Sequence, residues 1–186
     1  KQCKARGGMW YTPTSGIWQS VWLEQVPDTY ITDVKITPNL NGIHLAISTN
    51  QPVTSPISIQ IRLHTGELFS HTLQTSNEYI ALRGILTKQG TPYEPVLWTT
   101  EQPHLYTMTI TLQEDIIETY FALRTIKIQK IQGIERVCLN EKPIFLHGIL
   151  DQGYFCDGIF LPANEQEFEQ DILRMKELGF NLLRKH

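Results

Sequence analysis

The period of polar and apolar positions changes along this chain. Between residues 28 and 126 they alternate. Ile57-Ser58-Ile59-Gln60-Ile61-Arg62-Leu63-His64 runs apolar then polar without a break. Tyr106, Met108, Ile110 and Leu112 are interleaved with Thr107, Thr109 and Thr111 in the same way. A period of two puts one side of a strand on a core and the other in water. Further strands are expected over 33–37, 43–49, 67–73, 78–82 and 117–123. Asn41-Gly42 and Thr65-Gly66 fall between runs, where hairpin turns favour positive φ. About seven short strands in ~100 residues, with no helical period, predict a β-sandwich.

The flanks read differently. Residues 1–27 set Trp10, Tyr11, Trp18 and Trp22 among Gly7, Gly8, Pro13, Gly16 and Pro27, a segment with no core of its own that must dock on something. After residue 126 two apolar runs, 136–139 and 143–150, flank the polar turn Asn140-Glu141-Lys142. A Gly-containing loop from Asp151 to Pro162 precedes a helix expected over 164–178. Its apolar positions Phe168, Ile172, Met175 and Leu178 recur at helical spacing, Asn164 with Glu167 resembles a capping box, and Gly179 suits the C-terminal end. Phe180-Asn181-Leu182-Leu183 is a run too short for a second helix. Strand, helix, strand is the first unit of an α/β fold.

Composition narrows the function more than the fold. Of the 186 residues, 41% are apolar and 19% charged, so the chain can build a core. A net charge of −3 argues against nucleic acid or an anionic membrane as the main partner. No apolar run reaches the ~18–20 residues of a membrane span. Cys3, Cys138 and Cys156 are widely spaced, without a CxxC pair or a Cys/His cluster, and read as free thiols rather than a zinc site or disulfide framework. No metal and no cofactor are expected, and the compartment stays open. Lys1 stands where an initiator Met would, so the chain is expected to be cut from something longer.

Ordered motifs go beyond periodicity. Thr14-Ser15-Gly16-Ile17-Trp18-Gln19-Ser20-Val21-Trp22-Leu23-Glu24 resembles the segment by which glycoside hydrolase family 2 enzymes leave their N-terminal sugar-binding jelly roll. Leu97-Trp98, Pro103-His104-Leu105-Tyr106 and Phe121-Ala122-Leu123-Arg124 resemble the series that crosses that family's immunoglobulin-like domain. Leu139-Asn140-Glu141-Lys142-Pro143-Ile144-Phe145-Leu146-His147-Gly148 is similar to its approach to the catalytic barrel. Asp171, Lys176-Glu177-Leu178-Gly179-Phe180-Asn181 and Arg184 resemble helix 1 and strand 2 of that barrel.

The resemblance implies a mainly β chain in three parts. Residues 1–27 would be the tail of the jelly roll, 28–126 an immunoglobulin-like β-sandwich, and 127–186 the truncated first β-α-β unit of a (β/α)8 barrel. It also implies a carbohydrate substrate, β-linked and galactoside-like, cleaved with retention by two Glu about 5 Å apart. A barrel takes about 250 residues. Both carboxylates are therefore expected beyond His186, leaving no catalytic residue here and no activity in this chain alone. Asn77-Glu78, Asn140-Glu141 and Asn164-Glu165 have local explanations as a strand start, a turn and a helix start.

Five residues are expected to touch substrate in the intact enzyme. Arg184 follows strand 2 where the family keeps an Arg near the nucleophile. His186 stands two residues on, whereas familiar β-galactosidases place a His three after that Arg. Asp151, Gln152 and Tyr154 follow strand 1, where the best-known members carry an Asn-Arg-His-Glu type of sequence, so substrate and metal dependence do not transfer from them. A chain-end Arg or His and a solvated loop are the competing readings. His147 is expected as a strand residue packed beneath the loop. Trp98 and Tyr106 read as packing anchors, and His44, His64, His71 and His104 as surface or locally bonded. Ile144, Phe145, Leu146, Leu182 and Leu183 lack barrel neighbours; they should pack on the helix, bind a second copy or be disordered. A stand-alone sandwich module binding carbohydrate or protein is the alternative, though it has no use for residues 143–186.

Overall fold

The computed structural model describes residues 15–17, 19–156, 158 and 161–186. Cys3, Trp10, Tyr11 and Trp18, and with them most of the expected jelly-roll tail, lie outside the described residues.

The chain is mainly β. Seven strands follow the alternating region: β1 (Ile31–Pro38), β2 (Gly42–Thr49), β3 (Ile57–Arg62), β4 (Leu68–Thr72), β5 (Asn77–Ala81), β6 (Tyr106–Leu112) and β7 (Asp115–Phe121). They form two antiparallel sheets, ordered β1-β2-β5 and β4-β3-β6-β7. Most apolar members of these alternations turn inward, while Leu68 of β4 and Ile116 and Tyr120 of β7 face out. Ile43, Leu45, Ile80 and Leu82 of one sheet and its flank share a single core with Ile59, Ile61, Met108, Ile110 and Leu112 of the other. Burying each such side chain contributes about 1.5–3 kcal/mol before the entropy of ordering is subtracted. The sheets are also tied at one edge, where the Ile31 N–H donates to Asp115 Oδ2 at 2.7 Å.

Two turns show different uses of glycine. Gly66 sits at φ +86 and its N–H returns to Leu63 O at 2.9 Å, as the Thr65-Gly66 pair suggests. Gly42 has no positive φ. It is the first residue of β2, and a Cβ there would meet Ile80 O of β5 at 2.1 Å. Close approach of two backbones, not turn geometry, requires that glycine.

Beyond the two sheets comes a small antiparallel sheet, β10-β9-β8, made of β8 (Ile126–Ile131), β9 (Ile134–Leu139) and β10 (Lys142–Pro143). β8 falls outside the strands expected from the pattern. The run expected over 143–150 divides: the chain pairs only at Lys142–Pro143, leaves the sheet, and resumes as β11 (Gly148–Asp151). Asn140 and Glu141 make the β9–β10 turn at φ +49 and +67. Asn140 also bonds to the two-sheet unit. Its Oδ1 accepts the Thr125 N–H at 3.0 Å, and its Nδ2 donates to Trp98 O at 2.9 Å. The Arg124 guanidinium lies 4.5 Å from the centre of the Trp98 ring.

The last unit is β11, α1 (Glu165–Glu177) and β12 (Leu182–Lys185), with β11 and β12 parallel. Asn164 has the extended backbone of an N-cap, but its side chain bonds no backbone N–H; Nδ2 instead reaches Glu167 Oε1 at 3.4 Å, so the expected capping box is not formed. The C-terminal end follows expectation: Gly179 at φ +84 lets its N–H reach Lys176 O and the Phe180 N–H reach Met175 O, each at 3.0 Å. No residue of α1 is buried. Among the described residues no helix is long and apolar enough to cross a membrane.

Candidate functional site at the parallel strand ends

The parallel register pairs Leu150 with Arg184 and Asp151 with Lys185. Alternation then sorts these residues onto two faces. Lys185 faces the helix, its Nζ 5.6 Å from the centre of the Phe168 ring on α1. Asp151 lies beside it, and Leu150 and Arg184 fall on the opposite face. Arg184 is exposed, and its side chain has no hydrogen-bond or ion-pair partner among the described residues.

Asp151 is engaged through every oxygen it has. Oδ2 takes Lys185 Nζ at 2.7 Å, Oδ1 takes the Gly153 N–H at 2.8 Å, and the main-chain oxygen takes the His186 N–H at 2.8 Å. The Lys185 ammonium, with help from the Gly153 amide, holds this carboxyl below the usual carboxylate range. The next residues turn sharply, Gly153 at φ +76 and Tyr154 at φ +79. Gln152 and Tyr154 are exposed at the mouth of this loop. A largely apolar cleft of about 450 Å³ lies between α1 and the strand pair, lined by Ile149, Asp151, Gln152, Phe168, Met175 and Lys185 among others. His186 joins the group only through its main chain.

The five residues proposed from sequence thus gather at one end of the strand pair but not in one constellation. Asp151 is paired internally, while Arg184 faces the other way. His147 is not a strand residue beneath the loop. It is exposed ahead of β11, its ring 4.5 Å from Phe180 and its N–H bonded to Asn181 Oδ1 at 2.8 Å. Sequence reasoning missed two residues. Lys185 could have been found from strand alternation, which places 183 and 185 on one face. Asn181 closes the Lys176–Asn181 motif, but nothing in the motif marks its bonding role. Its Nδ2 also reaches Phe145 O at 2.8 Å, and its N–H reaches His147 O at 3.0 Å, so one side chain and one amide hold the lead-ins of both strands in register. Among the described residues no group of three or more His, Cys, Asp or Glu could hold a metal ion.

Comparison with known proteins settles the family. The model for glycosyl hydrolases family 2 matches residues 29–124, just over half of the chain. The chain belongs to this family. A β-galactosidase of Pseudoalteromonas haloplanktis is 26% identical over 191 aligned residues, which take in 95% of this chain and 18% of that protein. One of Thermoanaerobacter pseudethanolicus is 24% identical, over 94% of this chain and 24% of the relative. The chain therefore spans about a fifth of the length of the family 2 relatives it matches. Among solved structures, a β-glucuronidase of Faecalibacterium prausnitzii superposes with a TM-score of 0.68 at 21% identity, covering 86% of this chain and 24% of the other. A Ruminococcus gnavus β-glucuronidase gives the same TM-score at 17% identity. These likenesses show a fold shared with family 2 hydrolases.

Proposed function

We propose that this chain supplies an immunoglobulin-like spacer domain and the opening of the catalytic (β/α)8 barrel in a retaining glycosidase acting on β-linked, galactoside-like sugars. The observation that carries the reading is the succession of parts. A family 2 match over 29–124 is followed in the same chain by a parallel β-α-β unit whose last strand carries Arg184. The sheet order β1-β2-β5 against β4-β3-β6-β7 fits an immunoglobulin-like sandwich, as does a buried Tyr106 hydroxyl that returns to the main chain of Val96. On this reading 1–27 is the jelly-roll tail, 28–126 the sandwich and 127–186 the start of the barrel. The Asn140 bonds to Trp98 and Thr125 would let the sandwich act as a spacer, because they tie it to the segment that leads into the barrel.

The chemistry needs one Glu to protonate the leaving oxygen and a second to form the glycosyl-enzyme intermediate. In a (β/α)8 enzyme both stand at the C-terminal ends of parallel strands. The three Asn-Glu pairs here stand elsewhere. Glu78 is on β5 with its carboxylate bonded to His71 and Gln74, Glu141 is in a turn, and Glu165 opens α1. We place the two carboxylates outside these 186 residues, and Arg184 next to the nucleophile, where a cation keeps a carboxylate ionised. Galactosides are preferred over glucuronides because the family 2 relatives with the higher identity are named β-galactosidases.

The test is turnover. The 186-residue chain should hydrolyse neither nitrophenyl β-galactoside nor nitrophenyl β-glucuronide above blank. A longer protein carrying it should hydrolyse the galactoside, and lose that activity when a Glu following a later barrel strand is replaced by Gln. Turnover by the 186-residue chain would overturn the placement of the carboxylates. We further propose that the chain self-associates through its barrel strands, since Phe145 is 82% exposed and Leu146, Leu182 and Leu183 are partly so. A monomeric mass by light scattering at tens of micromolar would refute that.

A further inference from the structure

We infer that Asp151 and Lys185 form a latch that positions the Gln152–Tyr154 turn for sugar recognition, and that neither residue of the pair contacts sugar itself. The inference rests on the glycosidase reading above and divides the work among the residues of that site. Both carboxylate oxygens of Asp151 are occupied, by Lys185 Nζ at 2.7 Å and by the Gly153 N–H at 2.8 Å. A sugar hydroxyl would have to compete with a charge-assisted bond already made.

The pair also lies on the wrong face for a ligand. Register and alternation put Asp151 and Lys185 toward α1, while Arg184 and Leu150 point to the other side of the strands. Lys185 is held there by its surroundings, with ring centres at 5.6 Å (Phe168) and 6.0 Å (Phe155), and those two rings meet edge to face at 5.5 Å. One cation thus bonds to strand β11 and lies against rings of helix α1 and of the residue just after the turn.

The turn needs such a hold. A Tyr at φ +79 occupies the left-handed region, which an L side chain with a bulky ring seldom adopts unless its neighbours enforce it. The Asp151 bond to the Gly153 amide fixes the residue just before it. Gln152 and Tyr154 remain exposed, an amide with donors and acceptors beside an aromatic ring, which suits sugar hydroxyls and a sugar-ring face. Asp151 is therefore a positioning residue, and so is Lys185.

Two measurements test this. In the 186-residue chain, Lys185→Met and Asp151→Asn should each speed hydrogen exchange at the Gly153 amide by roughly tenfold while core amides such as Ile110 keep their rates. Lys185→Arg should restore most of the protection, because a guanidinium can still reach the carboxylate. In the longer protein, Lys185→Met should raise KM for nitrophenyl β-galactoside about tenfold with kcat nearly unchanged, Lys185→Arg should return KM toward its original value, and Gln152→Ala should raise KM with Gly153 exchange unaltered. Unchanged Gly153 exchange in Lys185→Met would overturn the latch. A Lys185→Met enzyme whose kcat falls at constant KM would overturn the assignment to sugar positioning. If the unsubstituted longer protein turns over no glycoside, the glycosidase reading fails with the sugar-facing half of this proposal, while the exchange measurement still decides the latch.

Discussion

Replacing Tyr106 by Phe removes one oxygen from the middle of the two-sheet unit and leaves every carbon in place. Tyr106 has no exposed surface, and burial pushes its phenol far above the ordinary tyrosine value, so the hydroxyl keeps its proton. That hydroxyl accepts the Val96 N–H at 2.8 Å, donates to Val96 O at 3.0 Å and lies 3.2 Å from the Tyr93 hydroxyl. In the variant both main-chain groups of Val96 lose their partner. A buried donor or acceptor left unpaired costs about 1–3 kcal/mol, and Val96 is only half-buried, so water recovers part of the loss. A net loss of about 2 kcal/mol follows. For a unit of about 100 residues that lowers Tm by roughly 8–16 °C. Urea unfolding followed by far-ultraviolet circular dichroism measures it, with Tyr93→Phe as the control. Tyr93 bonds His64 Nδ1 at 2.7 Å besides Tyr106, but His64 is exposed and can return to water, so that variant should lose only about 1 kcal/mol. A Tyr106→Phe loss below about 0.5 kcal/mol, or smaller than that of Tyr93→Phe, would refute the view that this hydroxyl fastens the 93–96 segment to the core.

Three further outcomes are expected. Gly42→Ala should cost about 3 kcal/mol or more in urea unfolding, because its Cβ would lie 2.1 Å from Ile80 O and backbone must move to make room. Asn140→Ala should cost about 2 kcal/mol, removing both side-chain bonds to Thr125 and Trp98 at a residue held at φ +49, and should speed amide exchange along β8 and β9 more than along β3 or β6. Stability should fall with acid in two stages. Burial and then His64 hold the His104 imidazole below its usual value, so the unfolded chain takes up a proton first and stability drops as pH falls below about 6.5. Glu78, kept low by the Gln74 amide and then by His71, adds stability that is present above about pH 4.5 and lost as pH falls through its folded value. Urea midpoints measured from pH 8 to pH 3 check both stages, and His104→Gln should flatten the upper one.

The sequence by itself determined the seven strands of the alternating region and, in β3 and β6, which side is buried, because a clean period of two leaves a strand one way to cover its apolar residues. It determined the family, through short motifs kept in order, and the helix with its Gly179 end. It did not determine β8, where Ile126, Ile128 and Ile131 are separated by Lys127, Gln129 and Lys130 in a stretch that is barely buried at all. Nor did it show that 143–150 breaks into two pieces, since an apolar run carries no mark of where its backbone partners change. At the candidate site the segment was legible and the roles were not. Asp151, Gln152, Tyr154, Arg184 and His186 lie at or just after two strand ends, and motif reasoning expects all five to touch substrate. Only the parallel register, fixed by Asn181 against Phe145 and His147, turned Asp151 toward Lys185 and Arg184 away from both. A one-residue slip would reverse those faces, because side chains alternate along a strand. Which side chains share a face at the candidate site is thus decided by hydrogen bonds between segments about 35 residues apart, a distance that no local pattern in the chain can span.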